Sequence, residues 1–172
     1  MFVELIATLF AGLACAGVVM LMNLTSGRRL PKWLVPVAAG LGMITMTLYN
    51  EYTWFDRTAE KLPEGVQVAL TVKEQGWLRP WTQLWPYTKR FVAVDMATTR
   101  KNEKQPGQRL ADLYFFGRWS AVNRAPVLID CAGSKSALLV DGAEFSDDGS
   151  LANAHWVQMP ADDPILKLVC GT

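Results

Sequence analysis

The sequence predicts an α+β protein, with an N-terminal two-helix transmembrane hairpin, a small antiparallel β-rich domain and a short C-terminal helix. Three observations lead there. Two long uncharged apolar runs open the chain, a basic loop separates them, and short alternating strand patterns with turn residues follow.

The first run, Leu5 to Leu24, reads LIATLFAGLACAGVVMLMNL and holds no charge. As a helix it is long enough for a hydrocarbon core of ~30 Å. The second run, Trp33 to Asn50, is also uncharged, and flanking aromatics extend it. The expected spans are about 4–24 and 33–50, with residues 25–32 as the loop between them. Ala14-Cys15-Ala16 loosely matches a leader cleavage site. A leader needs a basic segment before its apolar core, and here only Glu4 precedes it, so the run is expected to remain as a span.

Residues 1–50 carry one acid, Glu4, against Arg28, Arg29 and Lys32, all three in the loop. By the positive-inside rule that loop is cytoplasmic. Both termini and everything after residue 50 are then expected outside. Small residues lie at close spacing: Ala7, Ala11, Gly12 and Cys15 on the first span, Gly40 and Gly42 on the second. Such positions let helix backbones approach, either the two spans together or a span and another protein's helix. Neither span holds an ionisable side chain at mid-depth other than the Cys15 thiol. This argues against ion transport and proton relay.

Residues 51–172 hold 14 of the 17 Lys and Arg and 15 of the 16 Asp and Glu. This balance is that of a mixed-charge soluble domain, without the basic excess of a nucleic-acid binder. Residues 51–62 are expected to continue the second helix as a stalk, and Pro63 and Gly65 stop it. Val66 to Val72 alternates as a strand. Trp77, Trp81, Trp85 and Tyr87 then crowd a segment broken by Pro80 and Pro86. One short helix would align the three tryptophans on a single face. The rings either cap the domain core, dock on a membrane or a partner, or stack a ligand.

FVAVDMA is a strand, and Thr98 to Arg109 a polar hairpin connection that offers a basic clamp as its alternative. LADLYFFGRW is a second strand, and APVLIDCAGSKSALLVD makes two strands around a CAGSK turn. A turn at Asp148-Gly149 precedes a last strand containing His155 and Trp156. In ADDPILKLVC, Asp162 or Asp163 caps a terminal helix that carries an early proline. The exported part therefore spans residues 63–172, with five to six strands.

Cys131 and Cys170 make an even count in an oxidising compartment, so a disulfide closing a loop of ~40 residues is expected, two free thiols being the alternative. No motif for a catalytic triad, haem, zinc, nucleotide or phosphate is present, and no cofactor is expected. Asp141, Glu144, Asp147 and Asp148 lack the calcium-loop spacing and read as a turn. Ser134-Lys135 reads as a tight turn, and the single histidine, His155, as structural. No enzyme is expected.

The pattern VLIDCAG, GSLANAHWVQMP and PILKLVC, over residues ~110–172, resembles exported bacterial domains of the surface-adhesin E-like type. The resemblance implies a β-rich domain with a Cys131–Cys170 disulfide and binding to proteins. The two-span anchor departs from the leader or lipid anchor of that pattern. The whole chain also resembles uncharacterised inner-membrane proteins of proteobacteria. The functional expectation is a non-catalytic accessory subunit, packed in the lipid bilayer beside a larger integral membrane complex of the respiratory or photosynthetic kind. The alternative is a free-standing anchored periplasmic binding module for a protein or envelope ligand.

Overall fold

The computed structural model describes residues 2–77, 79–139 and 155–171. The acidic cluster from Asp141 to Asp148 and the turn at Asp148-Gly149 lie outside them. The protein is α+β and divides into two compact units, residues 1–57 and 58–172.

The first unit holds helix α1, Phe2–Thr25, and most of helix α2, Leu34–Ala59. Alone among the described residues, α1 is long and apolar enough to cross a bilayer, with a mean hydropathy of 2.4 over its best window. Its 24 residues rise about 36 Å. Leu5, Phe10, Leu13 and Leu21 stand exposed along it. In α2 the apolar first half gives way to a polar second half with Glu51, Asp56 and Arg57. Pro36 sits in its first turn, where its missing N–H removes no helical bond.

Between the helices, Arg28 takes a left-handed φ of 60° after Gly27 at 69°. The Arg28 N–H closes the α1 C-terminus on the Asn23 carbonyl at 2.7 Å. The Leu30 N–H bonds the Asn23 Oδ1 at 3.0 Å. Arg28, Arg29 and Lys32 are exposed.

The two helices meet at small residues. A Cβ on Gly42 would lie 2.6 Å from Cys15 Sγ and 3.1 Å from the Ala11 carbonyl oxygen. One on Gly12 would lie 2.5 Å from the end of Met43. Gly40 lies away from this contact, with nothing within 4 Å of its Cβ position. At the other end of the pair, Arg57 meets Glu4 at 3.5 Å and donates to the Asn50 carbonyl at 3.4 Å. Glu4 in the first turn of α1 and Arg57 in the last turns of α2 both suit the helix dipoles.

The second unit is a meander of six strands in sequence order, every neighbour antiparallel. They are β1 Val66–Glu74, β2 Tyr87–Lys101, β3 Gln108–Gly117, β4 Asn123–Asp130, β5 Lys135–Leu138 and β6 Trp156–Gln158. A one-turn helix α3, Trp81–Leu84, lies between β1 and β2, and α4, Pro164–Cys170, follows β6. Alternation decides the faces. Val92, Val94, Ala111, Leu113, Val127 and Ile129 share one face, which packs on Leu166 and Val169 of α4. Asp163 caps α4, accepting the Ile165 N–H at 2.8 Å, and Gly171 ends it in the left-handed region.

Cys131, just after β4, and Cys170, at the end of α4, form a disulfide with Cα atoms 5.8 Å apart. Arg109 does not belong to a basic hairpin loop. The β2–β3 connection is only residues 102–107, and Arg109 on β3 donates to the Val169 carbonyl, a charge placed at the C-terminal end of α4. His155 is exposed just outside β6 rather than within a strand. Ser134 takes the left-handed φ of 49° that the CAGSK turn requires.

Candidate functional site

Antiparallel order brings the β1–β2 and β3–β4 connections to one end of the sheet. The first is residues 75–86. Its shape comes from one side chain. Thr82 is 1% exposed, accepts the Gly76 N–H at 2.9 Å and donates to the Arg79 carbonyl at 2.7 Å. This knot uses the polar groups inside the loop and leaves its rings outside.

Pro80 opens α3 and Pro86 follows its end, so the helix is limited to one turn. The expected helix aligning three tryptophans therefore does not form, and Trp77 lies before it. Trp77 is 82% exposed, Trp85 66% and Trp81 43%. None of the three is among the buried core residues. Tyr87 differs: it starts β2 and is half-buried. Leu84 is exposed beside them in sequence.

The second connection adds a tryptophan that sequence reasoning missed. The pattern LADLYFFGRW predicts a strand that runs through Trp119. In the structure β3 stops at Gly117, and Trp119 lies in the turn, 61% exposed. The signal was present in GRWSAV, where small and polar residues surround a single ring. The Arg118 guanidinium sits 4.8 Å from the Trp119 ring, a cation–π distance. The Arg118 N–H bonds the Lys89 carbonyl at 3.0 Å, tying this turn to β2.

Beside it is a groove of ≈ 550 Å³, lined among others by Arg90, Phe115, Trp119 and the stacked pair Phe91–Phe116. Among the described residues of this end are Lys73, Arg79, Lys89, Arg90 and Arg118 and one acid, Glu74, which pairs with Lys89; the acidic residues Asp141 to Asp148 of the β5–β6 connection lie outside the described residues. Arg90 and Lys73 are exposed.

Elsewhere, among the described residues, one charged pair is structural. Arg124 donates to Asp112 at 2.6 Å. This charged hydrogen bond, with the Arg124 charge and a hydroxyl from Thr98, outweighs desolvation and holds the Asp112 carboxyl below the usual aspartate range. Among the described residues no group of His, Cys, Asp and Glu gathers to hold a metal.

The candidate residues therefore fall in separate places. Trp77, Trp81 and Trp85 gather at the strand end. Cys131 and Cys170 form the disulfide. Ala11, Gly12, Cys15 and Gly42 lie at the helix contact, with Ala7 half-buried on α1. Chemically the strand end offers apolar rings, guanidinium and ammonium groups, and a concavity. Groups of this kind are common at binding surfaces. No protein-family model, curated protein or solved structure matches the chain.

Proposed function

We propose that the protein is a non-catalytic, membrane-anchored accessory subunit of a larger membrane complex. In this reading α1 and the stretch up to residue 50 of α2 both span the bilayer, with Arg28, Arg29 and Lys32 on the cytoplasmic side. The β domain then lies in the bacterial periplasm and caps or stabilises the partner there. The observation that carries it is the exposed aromatic end of the sheet, where four tryptophans stand in solvent rather than in the core. Exposed aromatic side chains grouped with arginine are the composition of binding hot spots. The resemblance to surface-adhesin E-like domains fits an exported domain whose work is binding.

The test is a pull-down of the tagged protein from native membranes in mild detergent, with mass spectrometry of what is retained. Stoichiometric recovery with one large complex supports the reading and names the process. A monomer at every detergent level overturns it. The groove beside Trp119 favours a second reading, a free-standing anchored periplasmic module that binds a protein or envelope ligand.

A further inference from the structure

The turn between α1 and α2 concentrates positive charge on a shaped loop. Arg28, Arg29 and Lys32 are exposed, and Trp33 beside them is 61% exposed. Residues 5–50 hold no acid to offset them. Glu4 lies in the first turn of α1, at its far end. The next acid after the loop is Glu51, about 26 Å up α2 when counted from Leu34. The acids of the β domain follow later still in the chain.

The loop is also held in shape. Asn23 ties it at two points: its carbonyl accepts the Arg28 N–H at 2.7 Å, and its Oδ1 accepts the Leu30 N–H at 3.0 Å. Gly27 and Arg28 are both left-handed, with φ of 69° and 60°, which folds the chain back on the end of α1. A residue with a Cβ resists that conformation, so the Asn23 bonds hold Arg28 against its own preference. Cations on such a frame lose less freedom on binding than cations on a loose loop.

We infer that this loop is a binding site for the phosphate of an anionic lipid headgroup, gathered by Arg28, Arg29 and Lys32. Trp33 then sits at headgroup level, where its ring type is favoured. The inference goes beyond the accessory-subunit reading and rests only on the part of it in which α1 and α2 are membrane helices. Guanidinium groups match phosphate oxygens in pairs. Each base at an anionic surface is worth roughly a factor of five in binding, so three exceed a factor of about ten even after screening by salt.

The experiment uses the full chain in micelles of a neutral detergent. Phosphatidylglycerol, or phosphatidylcholine with the same acyl chains, is titrated in, and bound lipids are counted by native mass spectrometry. The wild type is expected to hold phosphatidylglycerol at least about tenfold more tightly, and less so as salt is raised. Arg28→Gln with Arg29→Gln and Lys32→Gln should remove that preference. Lys101→Gln with Lys104→Gln and Lys135→Gln takes as much charge from the β domain and should leave it. Asn23→Leu keeps the three charges but frees the loop, and should lower the preference about threefold.

Equal retention of the two lipids by the wild type overturns the inference, and so does a preference that survives the triple loop substitution. An unchanged preference in Asn23→Leu overturns the held loop as the site. If glycerophosphate displaces phosphatidylglycerol at equal concentration, the site takes free phosphate esters and the lipid assignment falls. Labelling separates this inference from the two-span reading. In intact spheroplasts an impermeant amine reagent should reach Lys61, and Lys32 only after permeabilisation. If Lys32 is labelled from outside while the lipid preference holds, the headgroup site stands and the two-span reading fails. If Lys32 is protected and the preference is absent, the inference fails and the two-span reading stands.

Discussion

The disulfide is the clearest place to test how this domain is held together. Cys131 and Cys170 are separated by 39 positions, and the loop between them contains β5, β6 and most of α4. Cross-linking removes unfolded-state freedom that grows with the logarithm of loop length. For this separation the chain-entropy relation gives about 4 kcal/mol at room temperature. That is a large share of the stability of a domain this size, and corresponds to a fall in melting temperature of roughly 15 °C or more.

The perturbation is Cys131→Ala with Cys170→Ala in the full chain, beside the wild type with its disulfide reduced. The assay is urea unfolding in mild detergent, followed by far-UV circular dichroism and tryptophan emission. Coincident curves from the two probes would establish that the domain unfolds as a unit. Both perturbed proteins should lose nearly the same stability, because the effect is mainly on the unfolded chain. A loss below about 1 kcal/mol in both would refute the reasoning. It would mean that the loop is already constrained without the bond.

Three other outcomes are expected. Gly42→Ala and Gly12→Ala should each loosen the helix pair by about 1–3 kcal/mol, because the Gly42 Cβ meets the Ala11 carbonyl and the Cys15 side chain and the Gly12 Cβ meets the Ala39 carbonyl and Met43; Gly40→Ala should cost nothing, all read by thermal unfolding in detergent. Arg109→Met should lower domain stability by about 1–2 kcal/mol, because it removes both the hydrogen bond to Val169 and the charge at the C-terminal end of α4; a melting curve unchanged from wild type would count against it. The Asp112 carboxyl titrates below the usual aspartate range, so its contribution is complete above that range and is lost as pH falls through the lowered value. Asp112→Asn should therefore destabilise at neutral pH, and its deficit should shrink in acid; a pH-independent deficit would be the contrary result.

Much of the fold could be read from residues alone because alternation and punctuation agree. FVAVDMA and LADLYFFG place apolar side chains on alternate faces, and the structure pairs them as β2 and β3. Asp163 and Pro164 mark the start of α4, and the CAGSK turn falls between β4 and β5. The strand ends were less legible. β2 continues to Lys101, because its ladder with β3 carries polar residues that have no period of their own.

The candidate site was legible as residues and not as a surface. Aromatic rings between two prolines carry no periodicity that tells inside from outside. The decision rests on Thr82, whose hydroxyl closes the loop on itself. Nothing in a lone threonine announces that role. Arg109 shows the same limit: a base beside a polar loop looks solvated until a helix end, 60 positions later, comes to meet it.

The meander has a consequence for how the domain comes together. Each strand pairs only with its neighbours in sequence, so the sheet can zip up in the order in which the chain emerges, without waiting for distant partners. The exception is α4, which packs back on β1, β2 and β3. Closing the domain therefore requires the last segment of the chain, and the Cys131–Cys170 bond joins that segment to the end of β4. An oxidant acting too early would find Cys131 with its proper partner still to arrive. That one bond thus reports whether the terminal helix has reached the sheet.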